Sequence, residues 1–171
     1  MCSSYRTIVK LPCACSNDEL NDFARLVEAG GEVAPGLKAR IKRAVTLAML
    51  YGGDDLIGTA GIKRPNANYH QRVFCKAKTT LTADDYPFEV GWVYISQSHR
   101  GRHLTGRLLD AVIDAPRNGA IFSTTRANNK PMHHVLTARG FDQVGLPYLS
   151  REHPNEEILL FVLQPPADRS K

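Results

Sequence analysis

No stretch of this 171-residue chain approaches about eighteen consecutive apolar residues, so no segment is expected to cross a membrane as a helix. The opening run MCSSYRTIVKLPCAC lacks the unbroken apolar core of a secretory leader, and a cytoplasmic protein is the expectation. Cysteine is sparse: Cys2, Cys13, Cys15 and Cys75. The Cys13/Cys15 pair has no second pair at ligand spacing, so reduced thiols and no metal are expected. The net charge of +5 suits an anionic ligand, yet there is no long basic run and no aromatic single-strand platform. Nucleic acid is therefore not an expected partner. Repeats and interdomain linkers are also absent. One domain over residues 1–164 is expected, with a mobile tail at 165–171.

What is present reads as alternating strands and helices. YRTIVKL (5–11) alternates with period two, as a strand does. Ser16 and Glu19 form an S-x-x-E capping box. Leu20, Phe23, Ala24 and Val27 then recur at helical spacing as far as Gly30-Gly31. A second helix is expected from about Gly36 to Leu50, with Leu37, Ile41, Val45 and Ala48 inside and a solvated basic face. Strands are expected at 56–62, 72–78, 88–96, 120–126 and, in two further segments, at DQVGLPYLS and EILLFVLQ. A helix carrying Leu104, Leu108, Leu109, Val112 and Ile113 follows the strand at 88–96, and a short one spans MHHVLTARGF. The fold class is mixed α/β: a mostly antiparallel sheet of about seven strands flanked by about four helices. One parallel pair is joined by the crossover helix.

The segment YISQSHRGRHLTGRLLDAV (94–112) sets Arg100, Arg102, His103 and Arg107 at a strand-to-helix junction. The first turn of a helix carries unpaired N–H groups and about half a positive charge, and phosphate binds well there. Gly101 and Gly106 permit close approach. Two readings follow from the residues: an oxyanion or pyrophosphate cradle, or an arginine-rich solvated turn.

This junction resembles the acetyl-CoA signature R/Q-x-x-G-x-G/A of the GNAT superfamily of N-acyltransferases. Arg100 opens the motif, and His103 and Thr105 stand at its two glycine-type positions with Leu104 between them. Downstream, NNKPMHHVLTARGF resembles the family's N-x-x-A segment ending in Gly-Phe, with Asn129, Gly140 and Phe141 in register. The strand and helix order is similar across roughly residues 5–163. The resemblance implies acetyl-CoA as acyl donor, held by Tyr94, Ile95, Ser96, Arg100, Gly101, Arg102, His103, Leu104, Thr105, Gly106 and Asn129. It also implies two middle strands that splay to admit the pantetheine arm. Two departures stand out. His103 and Thr105 replace small residues, and Leu136 stands where many members carry a tyrosine that protonates the departing thiolate.

Amine acylation needs a base, a polarised carbonyl and a thiolate that can leave. A lysine-like amine arrives protonated near neutral pH, so a base must take its proton. Glu89 lies 11 residues before Arg100, and the resemblance implies that a glutamate so placed is the base in some members. The alternatives are a substrate anchor or a structural carboxylate. A backbone N–H around Tyr94–Ser96 is expected to polarise the carbonyl. His133, one helical turn before Leu136, is the nearest ionisable substitute for the missing acid; Tyr148, Tyr94 and water are the others. Trp92, Tyr86 and Phe88 line an acceptor pocket or belong to the core. Asp84 and Asp85 face a cationic substrate or shape a turn.

The leading expectation is an acetyl-CoA-dependent N-acetyltransferase acting on a primary amine of a small molecule or peptide, as a monomer or homodimer. A weakly catalytic or regulatory acyl-CoA-binding module is the second reading, and acetylation of an RNA-linked amine the third.

Overall fold

The structure, a computed structural model, describes residues 4–32, 34–116 and 119–165. Apart from Pro165, the expected tail lies outside them. The described residues hold seven strands and five α-helices, in the order β1 (Tyr5–Lys10), α1 (Asn17–Ala29), α2 (Leu37–Lys42), β2 (Thr46–Gly52), β3 (Asp55–Lys63), α3 (Ala67–Lys76), β4 (Phe88–Ile95), α4 (Leu104–Val112), β5 (Ile121–Arg126), α5 (Lys130–Thr137), β6 (Asp142–Leu149) and β7 (Glu157–Leu163). This is the expected mixed α/β class. The chain divides into two compact units, one running up to Arg64 together with Val90–Pro116, the other Pro65–Glu89 with the residues from Arg117 onward.

In the first unit the strand order is β1-β2-β3-β4. β1 pairs antiparallel with β2, Tyr5 opposite Gly52, and β2 pairs antiparallel with β3. The capping box at Ser16 is formed in full: Glu19 N–H donates to Ser16 Oγ at 3.1 Å, and Ser16 N–H donates to Glu19 Oε2 at 2.8 Å. The helix it starts presents Phe23, Ala24 and Val27 to a core that includes Ile41, Leu47, Met49 and Trp92.

In the second unit the order is β4-β5-β7-β6, with the first residues of β4 as its edge. β5 runs antiparallel to β7, and β7 to β6. Its core gathers Val73, Phe74, Ala77, Tyr86, Phe122 and Leu160. The helix α5 stops before Gly140, whose φ of +83° is left-handed.

Two expected elements are corrected. The helix expected over 36–50 is six residues of helix followed by a strand. Residues 46–50 are all buried, because β2 has a strand on each side. A short, fully apolar run carries no periodicity that separates a buried strand from a helix. The strand expected at 72–78 is the second half of helix α3. Asn66 caps that helix, its side chain accepting from Asn68 N–H at 3.0 Å. His70, Val73, Phe74 and Ala77 form its buried face, whereas the alternation of Val73, Cys75 and Ala77 imitates a strand over a shorter window. A helix therefore interrupts the expected run of three consecutive strands.

Candidate active site

Within the first unit, β4 is irregular at Trp92, a non-glycine residue with φ +54°. Its carbonyl accepts from Thr59 Oγ1 at 2.8 Å, and its ring packs edge-on against Phe23 with centroids 6.2 Å apart. Trp92 is thus a core residue, and its backbone twists the strand just before the motif. Two residues on, Tyr94 lies against Gly30, where an added Cβ would sit 2.9 Å from the tyrosine ring. Ser96 N–H donates to Ile57 O at 2.8 Å. Strand alternation therefore turns the N–H of Ile95 to the other edge of β4.

The junction that follows is built from backbone more than from its cations. Gly101 has φ +76° and His103 φ +57°, both left-handed, on either side of Arg102. A left-handed residue at a turn collects successive N–H groups into an anion-binding concavity. Here it opens directly into the first turn of the nine-residue helix α4, where no side chain caps the free N–H groups. A Cβ added at Gly101 would meet nothing within 4 Å, so the approach to that backbone is open.

The cations around this turn have separate employment. Arg100 donates from Nε to Ile95 O at 3.1 Å and lies 5.6 Å from the centre of the Tyr94 ring. Arg102 donates to Tyr5 Oη at 2.8 Å. Arg107 donates to Thr7 Oγ1 at 2.8 Å and to Tyr5 O at 2.9 Å. Leu104 and Gly106 are buried and Thr105 is half-buried, so Leu104 offers only its backbone outward.

Within the second unit, Glu89 is paired with β5: the parallel register sets Phe88 opposite Ile121 and Glu89 opposite Phe122. It is 3% exposed. Tyr69 of α3 donates its hydroxyl to Glu89 Oε1 at 2.9 Å, and that hydroxyl lies 3.4 Å from Thr124 Oγ1. Burial, with the Glu89 charge second, pushes the Tyr69 phenol well above the usual tyrosine range. Tyr148 of β6 is pushed up as well, by burial and then by Glu89, with Arg72 pulling the other way. Both phenols are therefore neutral at physiological pH. Tyr69 lies outside the strand expected at 72–78; the sequence signal for its helix is the helical spacing of His70, Val73, Phe74 and Ala77 behind an Asn cap.

Asn129 caps α5, its Oδ1 accepting from Met132 N–H at 3.3 Å. His133 donates from Nε2 to Arg126 O at 2.9 Å, and its ring lies 5.3 Å from that of Phe161. Leu136 is fully buried. Asp84 accepts from Gln71 in a short 3-10 turn, and Tyr86 is core, so the turn and core readings hold for both. Among the described residues, no group of three or more His, Cys, Asp and Glu is placed to hold a metal ion. No helix there is long and apolar enough to cross a membrane.

Known structures share this architecture. An acyl-CoA N-acyltransferase from Pseudomonas aeruginosa superposes with a TM-score of 0.61 at 13% identity, over 93% of this chain and 99% of its own. The yncA protein of Salmonella typhimurium, solved with its cofactor acetyl-CoA, gives 0.65 at 12% identity, covering 97% of this chain and 96% of its own. The ribosomal-protein-S18-alanine N-acetyltransferase of Escherichia coli gives 0.64 at 12% identity, covering 97% and 99%. A comparison with curated proteins finds no match in sequence. The fold is that of the acyl-CoA N-acyltransferases. The sequence matches the Acetyltransferase (GNAT) family over residues 17–141, and the chain belongs to that family.

Proposed function

We propose that this acetyltransferase moves an acetyl group from acetyl-CoA to a primary amine of a small molecule or peptide by direct attack. The observation that carries the reading is the pair of left-handed residues, Gly101 and His103, opening into the uncapped first turn of α4. That geometry suits a pyrophosphate. His103 supplies the backbone shape that glycine gives elsewhere in the family's motif, so the departure from glycine leaves the turn intact. Tyr94, Ile95, Ser96 and the backbone from Arg100 to Gly106 would hold the donor, with Arg100 the cation nearest the end of β4. Asn129 contributes by fixing the start of α5.

When bound, acetyl-CoA supplies an acyl group on a thioester. Ile95 N–H, turned away from β3, would donate to the thioester carbonyl oxygen and stabilise developing charge. Glu89 takes the proton of the attacking amine. A thiol has a pKa of about 8.5, so the leaving group departs without a dedicated acid. The bond from His133 Nε2 to Arg126 O leaves that nitrogen serving the backbone.

The test is thiol release across polyamines, aminoglycosides, amino acids and peptides, with Glu89→Gln as the decisive variant. Loss of roughly 10²-fold in kcat is expected. A raised KM for the amine at unchanged kcat assigns Glu89 to anchoring instead. A second reading, an acyl-CoA-binding module without turnover, draws on the buried Leu136 at the position of the usual acid. It predicts acetyl-CoA binding by calorimetry and no thiol release with any amine.

A further inference from the structure

We propose that Tyr69, carried by helix α3, is a positioning residue for the base: its hydroxyl orients the Glu89 carboxylate and holds it ready to accept the amine proton. This rests on the reading of Glu89 as base. The geometry is directional. A carboxylate only accepts, so at 2.9 Å the phenol proton points to Glu89 Oε1. The phenol oxygen is then left to accept from Thr124 Oγ1, 3.4 Å away. Thr124, Tyr69 and Glu89 form a relay of donors that ends on the carboxylate.

Such support answers a physical need. A carboxylate that is 3% exposed is costly unless hydrogen bonds compensate it, and bonds to ionised groups are stronger than neutral ones. The phenol also stays protonated, for burial and the neighbouring charge raise it well above its ordinary range. It therefore acts as a donor and cannot compete with Glu89 as the base.

Helix α3 is fixed in ways that keep this bond in place. His70 stacks flat on Phe122 at 5.1 Å and 7°, and Phe122 is the β5 residue paired with Glu89. Phe74 meets the same ring edge-on at 5.5 Å. At the far end, Leu146 N–H donates to Ala77 O at 2.7 Å. There the backbone of β6 comes so close that a Cβ on Gly145 would sit 2.2 Å from that oxygen. This contact lies in the register shift of β6 between Val144 and Tyr148. The helix is thus tied to β5 and β6, and Tyr69 projects from it to Glu89. Among the titratable groups near Glu89 are Tyr69 from α3 and Tyr148 from β6, both of which feel its charge, and Arg72 of α3 lies against the Tyr69 ring. Thr124 of β5 adds an uncharged hydroxyl.

The experiment is Tyr69→Phe, which keeps the ring and removes the donor; Arg72 and Tyr148 remain. Without the donor the carboxylate retains its proton to higher pH. The acidic limb of the kcat profile should move up by about one pH unit, the scale set by one hydrogen bond to a charged group. The KM for acetyl-CoA should stay unchanged. In the CoA-free protein, the 13C carboxyl resonance of labelled Glu89 should titrate at correspondingly higher pH. Thr124→Val, which weakens the relay one step back, should shift both in the same direction by less; if Tyr69→Phe does not fold, this variant decides. An unmoved limb and an unmoved carboxyl titration, with Glu89→Gln inactive, overturn the role of Tyr69 alone. A fully active Glu89→Gln overturns the base reading itself and the positioning role with it.

Discussion

Arg107 of α4 is bonded to Thr7 of β1, Nε to Oγ1 at 2.8 Å, and a second guanidinium bond reaches Tyr5 O at 2.9 Å. Arg102 reaches the hydroxyl of that same Tyr5. Two of the basic residues clustered in the motif thus tie the helix to the edge strand. Arg107→Ala should lower unfolding stability by about 1–2 kcal/mol, the sum of two exposed hydrogen bonds, and leave calorimetric CoA affinity close to the parent's. Arg100→Glu should behave in the opposite way, weakening CoA binding about tenfold or more, or roughly 1.4 kcal/mol, because it sets a carboxylate beside phosphates. An Arg107→Ala protein that loses CoA binding in step with Arg100→Glu would return Arg107 to the cradle.

His103 holds a left-handed backbone, φ +57°, that costs a side chain about 1–2 kcal/mol. Glycine removes that strain but adds about 0.5–1 kcal/mol of unfolded-state entropy. His103→Gly should therefore raise stability by about 0.5–1 kcal/mol in chemical denaturation, with CoA affinity kept or improved. His103→Ile, β-branched and ill-suited to this backbone, should lower stability and CoA affinity together.

Leu136 is fully buried, so its position is closed to a ring and hydroxyl. Leu136→Tyr should destabilise the protein by about 1–3 kcal/mol through overpacking and should not accelerate turnover. His133→Ala should cost less than about tenfold in kcat. A loss of a hundredfold with the basic limb of the pH profile removed and CoA affinity intact would make His133 the acid.

Tyr69 and Tyr148 give the fold an alkaline limit. Each has a folded-state pKa above its unfolded value of about 10. Above that pH the unfolded chain has released these protons and the folded one still holds them. The stabilisation is therefore complete below about pH 10 and shrinks as pH rises further. Tm should fall above pH 10, and the double variant Tyr69→Phe, Tyr148→Phe should show a shallower fall. In absorbance titration of the native protein, Tyr69 and Tyr148 should ionise only on unfolding.

The order of most elements was legible in the chain, and the physical reason is locality. The capping box at Ser16, the glycine after α1, the aromatic and β-branched run of β4 and the apolar stripe of α4 each act within a few residues of sequence. The arginine-rich junction and its family likeness were legible for the same reason. The patterns of residues 46–50 and 72–78 suit two structures each, and only burial against neighbouring elements selects one.

The candidate site divides along the same line. Its chemical types were readable: a glutamate 11 residues before the arginine motif, backbone donors at a helix start, a leucine where a phenol is usual. Tertiary structure alone decided which of these groups meet. It bonded Arg102 and Arg107 to residues about a hundred positions away in the chain. It gave His103 the backbone of a glycine, and it brought Tyr69 to Glu89 across 20 residues by packing α3 on β5. Side-chain type is written residue by residue, whereas hydrogen-bond partnership and left-handed backbone are imposed by the packing of segments distant in sequence.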